Sequence, residues 1–235
     1  MKEVKILHLF PRLLSLYGEY GNIAILKNTL EGKGHTVTLT PCEDGSADYS
    51  AYDFIYVGSG TEDNLMVALQ RLASHADAVN ASIASGKVWL ATGNAMTFFG
   101  KKVVRGETEV PGMGTFGYET EIDDSKRFLG DVLTGEDVPS LGFINTSCIY
   151  KGIQNPWLTL RLGKNLGNDK ASSAEGIREG SFLGTQLIGP FLVKNPHFLQ
   201  EVYQLLTGER LTLAEEDYIV KAYQVARKEL SARAE

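Results

Sequence analysis

Cysteine is scarce in this chain, at 2 of 235 residues. Cys42 and Cys148 lie far apart, in no C-x-x-C spacing and beside no histidine, which removes the usual signature of a zinc site. Two free thiols suit a reducing compartment, so a cytoplasmic location is expected. Long apolar runs are missing too. No stretch approaches the roughly 20 apolar residues that span a bilayer. Residues 4–10 open directly into a strand-like run, without the basic region and apolar core of a signal peptide. Membrane insertion is not expected. Basic stripes are also lacking: the formal net charge is −6, and basic residues gather only in pairs such as Lys101-Lys102 and Lys126-Arg127. Nucleic acid is therefore not an expected partner. Histidine occurs four times, at His8, His35, His75 and His197, and neither a metal nor a cofactor is expected. With no internal repeat, low-complexity tract or linker, residues 1–235 are expected to form a single domain.

What is present is an alternation of strand and helix signals. Residues 4–10 read as a strand ended by Pro11. A helix follows whose apolar positions Ile23, Ile25, Leu26 and Leu30 stop at Gly32 or Gly34. Strands are predicted over 35–40 and 54–57, the latter closing on Gly58-Ser59-Gly60. Leu65, Leu69, Leu72 and Ala76 predict one helix over 62–82, and residues 87–91 form an apolar strand of the kind buried on both faces. This order implies βαβ crossovers and an α/β fold, a three-layer sandwich with a mostly parallel central sheet. Strands are then predicted over 118–122, 128–133, 140–144 and 158–160. Helices are predicted from 196 to about 206, and from a capping box at Thr212–Glu215 to about 230. In the last helix Ile219, Tyr223, Ala226 and Leu230 share one face, which reads as core packing.

Ligands collect at the carboxyl ends of the strands in such sheets, which draws attention to residues 87–100. They read as a buried strand, a sharp turn at Gly93 and a short helix ending at Gly100. That is the build of a nucleophile elbow, with helix N-terminal amides beside the turn.

Several motifs occur in a fixed order: Leu16-Tyr17-Gly18-Glu19-Tyr20-Gly21-Asn22-Ile23, Gly58-Ser59-Gly60-Thr61-Glu62-Asp63, the elbow, and Lys126-Arg127-Phe128-Leu129-Gly130. Gly142-Phe143-Ile144-Asn145, Gly167-Asn168 with Glu175-Gly176, and Gly184-Thr185-Gln186-Leu187-Ile188-Gly189-Pro190 before Lys194-Asn195-Pro196 complete the series. In this order they resemble class I glutamine amidotransferases of the cobyric acid synthase-like (CobB/CobQ) branch, in particular the GatD family of lipid II isoglutaminyl synthase subunits. The resemblance implies a class I amidotransferase fold, an oxyanion-hole turn at Gly58 and Gly60, and substrate contact by Arg127. It also implies a Mur ligase-like, ATP-dependent partner subunit in peptidoglycan amidation.

Two departures bear on activity. By the resemblance, Gly93 stands at the cysteine position and Ile188 at the histidine position. Glutamine hydrolysis by this route needs a thiolate to attack the amide and an imidazole to move the proton. A glycine cannot attack, and an isoleucine carries no proton. Thr92, Thr97 and Thr185 are weighed as substitute nucleophiles, but the sequence shows no activating base beside them. The expectation is a subunit with no catalytic residue of its own. Two other readings stay open: an active amidotransferase with a non-standard site, and a small-molecule-binding regulatory domain.

Overall fold

A computed structural model describes residues 1–234 of the chain. The inner strands of its central sheet come from strongly apolar segments. Strand β1 (Glu3–Leu9) leads through helix α1 (Tyr20–Gly32) to β2 (Thr36–Cys42), and β3 (Phe54–Val57) leads through α2 (Glu62–Ala73) and α3 (Ala76–Ala84) to β4 (Val88–Thr92). Every residue of β3 and β4 is buried. Side chains alternate across a strand, so the two faces feed separate cores. Ile55, Val57, Trp89 and Ala91 pack with α2 and α3. Phe54, Tyr56, Val88 and Leu90 pack with α1.

The middle of the chain makes two hairpin-rich sheets. Strands β5 (Lys102–Arg105), β6 (Thr108–Pro111), β7 (Glu119–Ile122), β8 (Phe128–Thr134), β9 (Leu141–Thr146), β10 (Cys148–Lys151), β11 (Leu158–Leu162) and β12 (Ala174–Glu175) follow in turn. They pair in the orders β10-β7-β5-β6 and β12-β11-β8-β9. The first sheet adds Val103, Ile122 and Tyr150 to the α2/α3 core. The second adds Val132, Ile144, Leu158 and Leu160 to the opposite core.

The chain then returns as β13 (Ile177–Glu179) and β14 (Phe182–Thr185), which complete a six-stranded sheet ordered β13-β14-β4-β3-β1-β2. Only β13 runs antiparallel to its neighbour. Helices α4 (Phe191–Lys194), α5 (Pro196–Thr207) and α6 (Tyr218–Arg233) end the chain. The expected α/β sandwich with a mostly parallel sheet is what forms.

Two boundaries differ from expectation. The helix predicted over 62–82 breaks at Ser74-His75: the Ser74 hydroxyl donates to Arg71 O at 3.1 Å, and His75 has φ −114°, ψ 13°. A hydroxyl that competes for the backbone carbonyls is a local way to stop a helix. The capping box at Thr212–Glu215 does not start α6. Asp217 accepts a hydrogen bond from Ala214 N at 2.8 Å, fixing a turn, and the helix begins at Tyr218. Its Tyr223 and Leu230 pack on Leu133 and Leu141 as expected of a core face. Among the described residues no helix is long and apolar enough to cross a membrane.

Candidate functional site

The carboxyl ends of β3, β4 and β14 converge on one spot. After β4 the chain turns at Gly93, with φ +63°, into a 3₁₀ helix over Gly93–Phe99. After β3 comes Gly58-Ser59-Gly60. After β14, residue Ile188 forms an antiparallel bridge with Phe143. The parallel register of β4 with both neighbours brings these three segments level. A β-carbon placed on Gly93 would lie 2.5 Å from Ser59 Oγ, 2.6 Å from Ser59 Cβ and 2.9 Å from Ile188 Cγ2. Glycine takes this left-handed turn without penalty, and here the space beyond it is filled as well. Ile188 is buried, so a hydrocarbon closes the position facing the turn.

The turn at Gly58–Gly60 is committed to internal hydrogen bonds. Gly60 N donates to Asn94 Oδ1 at 3.1 Å, and Asn94 Nδ2 returns a bond to Gly60 O at 2.8 Å. Ser59 Oγ donates to the same Asn94 oxygen at 3.1 Å. Leu16 N donates to Ser59 O at 3.0 Å, tying in the loop at residues 16–23. Both glycines are sterically required: a β-carbon on Gly58 would meet Leu14 O at 2.8 Å, and one on Gly60 would meet Leu13 O at 2.8 Å. The Gly60 amide is thereby spent on a side chain of the chain itself, whereas oxyanion stabilisation needs a donor aimed at the substrate.

Behind the elbow lies a buried polar framework. Glu19 is fully buried and accepts bonds from Thr92 Oγ1, from Tyr56 OH at 3.0 Å and from Gly189 N at 3.2 Å. Asn22 donates to Tyr56 OH at 3.0 Å and accepts from Leu192 N at 2.8 Å. Burial pushes the Glu19 carboxyl up to about 7, against the pull of its donors Thr92, Gly189 and Tyr56. A second buried carboxyl mirrors it. Glu175 accepts from Gln186 N at 2.6 Å and from Thr185 Oγ1 at 2.9 Å. Burial raises it also to about 7. The segment carrying Ile188 is thus held at both ends by carboxyls from elsewhere in the fold. Beside it, burial lowers the Lys170 amine to about 8, and its Nζ donates to Gln186 Oε1.

The three weighed threonines are all fully buried. Contrary to the sequence expectation, two of them do sit against carboxyls, Thr92 on Glu19 and Thr185 on Glu175. Sequence distance concealed these pairs, since 73 residues separate the first. Thr97 lies 3.6 Å from Cys148 Sγ. That thiol is buried, and burial raises its pKa, which disfavours the thiolate.

Arg127, immediately before β8, is engaged on all sides. Its Nη1 donates to Glu62 Oε1 at 2.6 Å and to Ser147 Oγ at 3.4 Å, its Nε to Asn145 Oδ1 at 2.6 Å, and its Nη2 to Tyr17 OH at 3.3 Å. These four partners lie in or just beyond three of the segments singled out in the sequence, 16–23, 58–63 and 142–145. Sequence reasoning named Gly58, Gly60, Gly93, Arg127 and Ile188, and missed Asn94, Glu19 and Glu175. Glu19 and Asn94 stood inside quoted motifs, but nothing in a string of letters says that a loop carboxyl will be buried. Among the described residues no group of three or more His, Cys, Asp or Glu side chains is placed to hold a metal ion.

Residues 5–196 match the family described as the CobB/CobQ-like glutamine amidotransferase domain. A relative from Streptococcus pneumoniae, the subunit GatD of lipid II isoglutaminyl synthase (glutamine-hydrolyzing), is 26% identical over 230 residues, covering 94% of this chain and 86% of its own. The protein of the same name from Staphylococcus aureus is 27% identical over 201 residues, covering 83% and 81%. A solved crystal structure of a glutamine amidotransferase superposes with a TM-score of 0.53 at 14% identity, over 84% of this chain and 98% of its own. That last likeness is one of fold.

Proposed function

The chain belongs to the CobB/CobQ-like glutamine amidotransferase family, and we propose that it is a member that no longer hydrolyses glutamine. The observation that carries this reading is the crowding at Gly93, where even a β-carbon would stand within 2.9 Å of both Ser59 and Ile188. Covalent catalysis requires a nucleophile and a base within hydrogen-bond reach. In this reading Gly93 and Ile188 occupy those two positions, with neither group present. The bond from Gly60 N to Asn94 supports it further, because that amide is unavailable to a developing oxyanion.

The role that remains is that of a non-catalytic, cytoplasmic subunit, folded as one domain over residues 1–235. Its partner in this reading is a Mur ligase-like, ATP-dependent enzyme that amidates a peptidoglycan precursor. The relatives' names supply the pathway, and the intact fold supplies a scaffold to dock. Ammonia would then come from solution or from a separate glutaminase. The test is ammonia release from L-glutamine by the purified chain, alone and with the ligase-like protein present. No release above the protein-free control is expected. Ammonia release above that control, whether or not it survives replacement of Cys42 and Cys148, would overturn the reading.

A further inference from the structure

We propose that the chain pairs with a second copy of itself along the free edge of β2, the two strands running antiparallel about a twofold axis at Thr38. This goes beyond the reading above and does not depend on whether the elbow is active.

β2 is the outermost strand of the six-stranded sheet and has β1 as its neighbour on one side. Thr36 N donates to Lys2 O at 3.0 Å, and Cys42 O accepts from Phe10 N at 2.7 Å. The even-numbered residues of β2 therefore turn their backbone groups towards β1. Successive residues of a strand point to opposite sides, so the N–H and C=O groups of Val37 and Leu39 face the open edge. The ladder is bounded at both ends. Pro41 falls on the outward side, where a residue without an N–H is tolerated. His35 has already given its N–H to Leu30 O at 3.1 Å.

An open edge is commonly blunted by charged side chains, and residues 36–40 carry none. They read Thr-Val-Thr-Leu-Thr, nearly the same in both directions, with Thr36, Thr38 and Leu39 exposed. Antiparallel pairing about Thr38 sets Val37 opposite the second copy's Leu39. These two then exchange both backbone bonds, and the outward donors of the edge are all used. Threonine meets threonine on one face of the pair, and valine meets leucine on the other. Charge favours the same direction. Lys33 lies exposed just before β2, while Glu43 and Asp44 follow it, so each basic end meets an acidic one. A parallel pair would bring like charges together. β1 and β3 stand between this edge and β4, which leaves the elbow uncovered.

The test joins sedimentation velocity of the full chain over a dilution series to cross-linking of single-cysteine variants. The wild type is expected to be a dimer at high concentration and to dissociate on dilution, because one strand edge makes a small interface. Residue 38 faces its own copy at the axis, so Thr38→Cys should form a covalent dimer on oxidation in air with copper phenanthroline. Thr36→Cys, which would face residue 40, should not, and neither should the wild type, whose two thiols are buried. Thr38 is exposed, and its register partner Lys5 and the nearby Glu3 offer one charge of each sign. Thr38→Lys and Thr38→Glu should therefore fold. Each should weaken self-association severalfold through like charges directly opposite, and an equal mixture of the two should recover it. A wild type that is monomeric up to its solubility limit would overturn the proposal. So would cross-linking as strong at 36 as at 38, or charged variants that dimerise as well as the wild type.

Discussion

In front of the elbow, where Gly93 meets Ser59 and Ile188, the interior is tight and the space ahead of the turn ends on a hydrocarbon face. Behind it, Glu19, Tyr56, Thr92 and Asn22 form a buried hydrogen-bonded network that reaches Gly189 and Leu192. The first region holds no thiol and no imidazole, and its one hydroxyl, that of Ser59, is tied to Asn94 Oδ1. The second commits a buried carboxyl, which is stable only because donors surround it. On the proposed reading, chemistry and framework have separated in this molecule. The strand ends and loops are still positioned with care, while the point they converge on is closed.

The sharpest way to break that comparison is to put a side chain back. Gly93→Cys introduces positive-φ strain of about 1–3 kcal/mol and overpacking of about 1–3 kcal/mol. Denaturant unfolding should show a loss of roughly 2–6 kcal/mol on those combined figures. Gly86 is the control: it has φ +83° with nothing within 4 Å of a built β-carbon. Gly86→Ala should lose only the conformational share, about 1–2 kcal/mol. Equal losses at the two positions would mean that Gly93 is not crowded.

A smaller effect is expected from the framework. Burial raises the Glu19 and Glu175 carboxyls in the folded state to about 7, from an ordinary 4.5. Each binds more protons folded than unfolded across that window, so stability falls as pH rises. The contribution is fully present below the unfolded pKa and is lost as pH passes through the folded one. Between pH 4.5 and 7.5 each should account for on the order of 1–3 kcal/mol of decline. Glu19→Gln or Glu175→Gln should flatten the profile, read by denaturation at stepped pH. An unchanged slope in both variants would show that these groups are ionised and well solvated.

Much of the central sheet is legible in the sequence because its strands are continuous and apolar. β3 and β4 bury every residue, and no competing pattern fits them. The hairpin strands are harder. β6 reads Thr-Glu-Val-Pro with no fully buried residue, and β12 and β13 are two and three residues long on either side of Gly176. Such strands owe their existence to pairing partners rather than to their own composition. The same holds at the site. Positions 58, 60, 93, 127 and 188 stand out through glycine turns and motif order. The burial of Glu19 and Glu175, and the capture of the Gly60 amide by Asn94, depend on contacts across 10 or more residues. The break at Ser74-His75 carries no glycine or proline to announce it.

The central claim is that no group at the elbow can form a covalent bond with glutamine. Incubating the intact chain with 6-diazo-5-oxo-L-norleucine and measuring its mass tests this most directly, since an attacking thiol would leave a stable adduct. The account predicts an unchanged mass after incubation, with or without the proposed ligase-like partner. A stoichiometric adduct mapped to Cys148, the thiol beside Thr97 in the elbow's own helix, would contradict it.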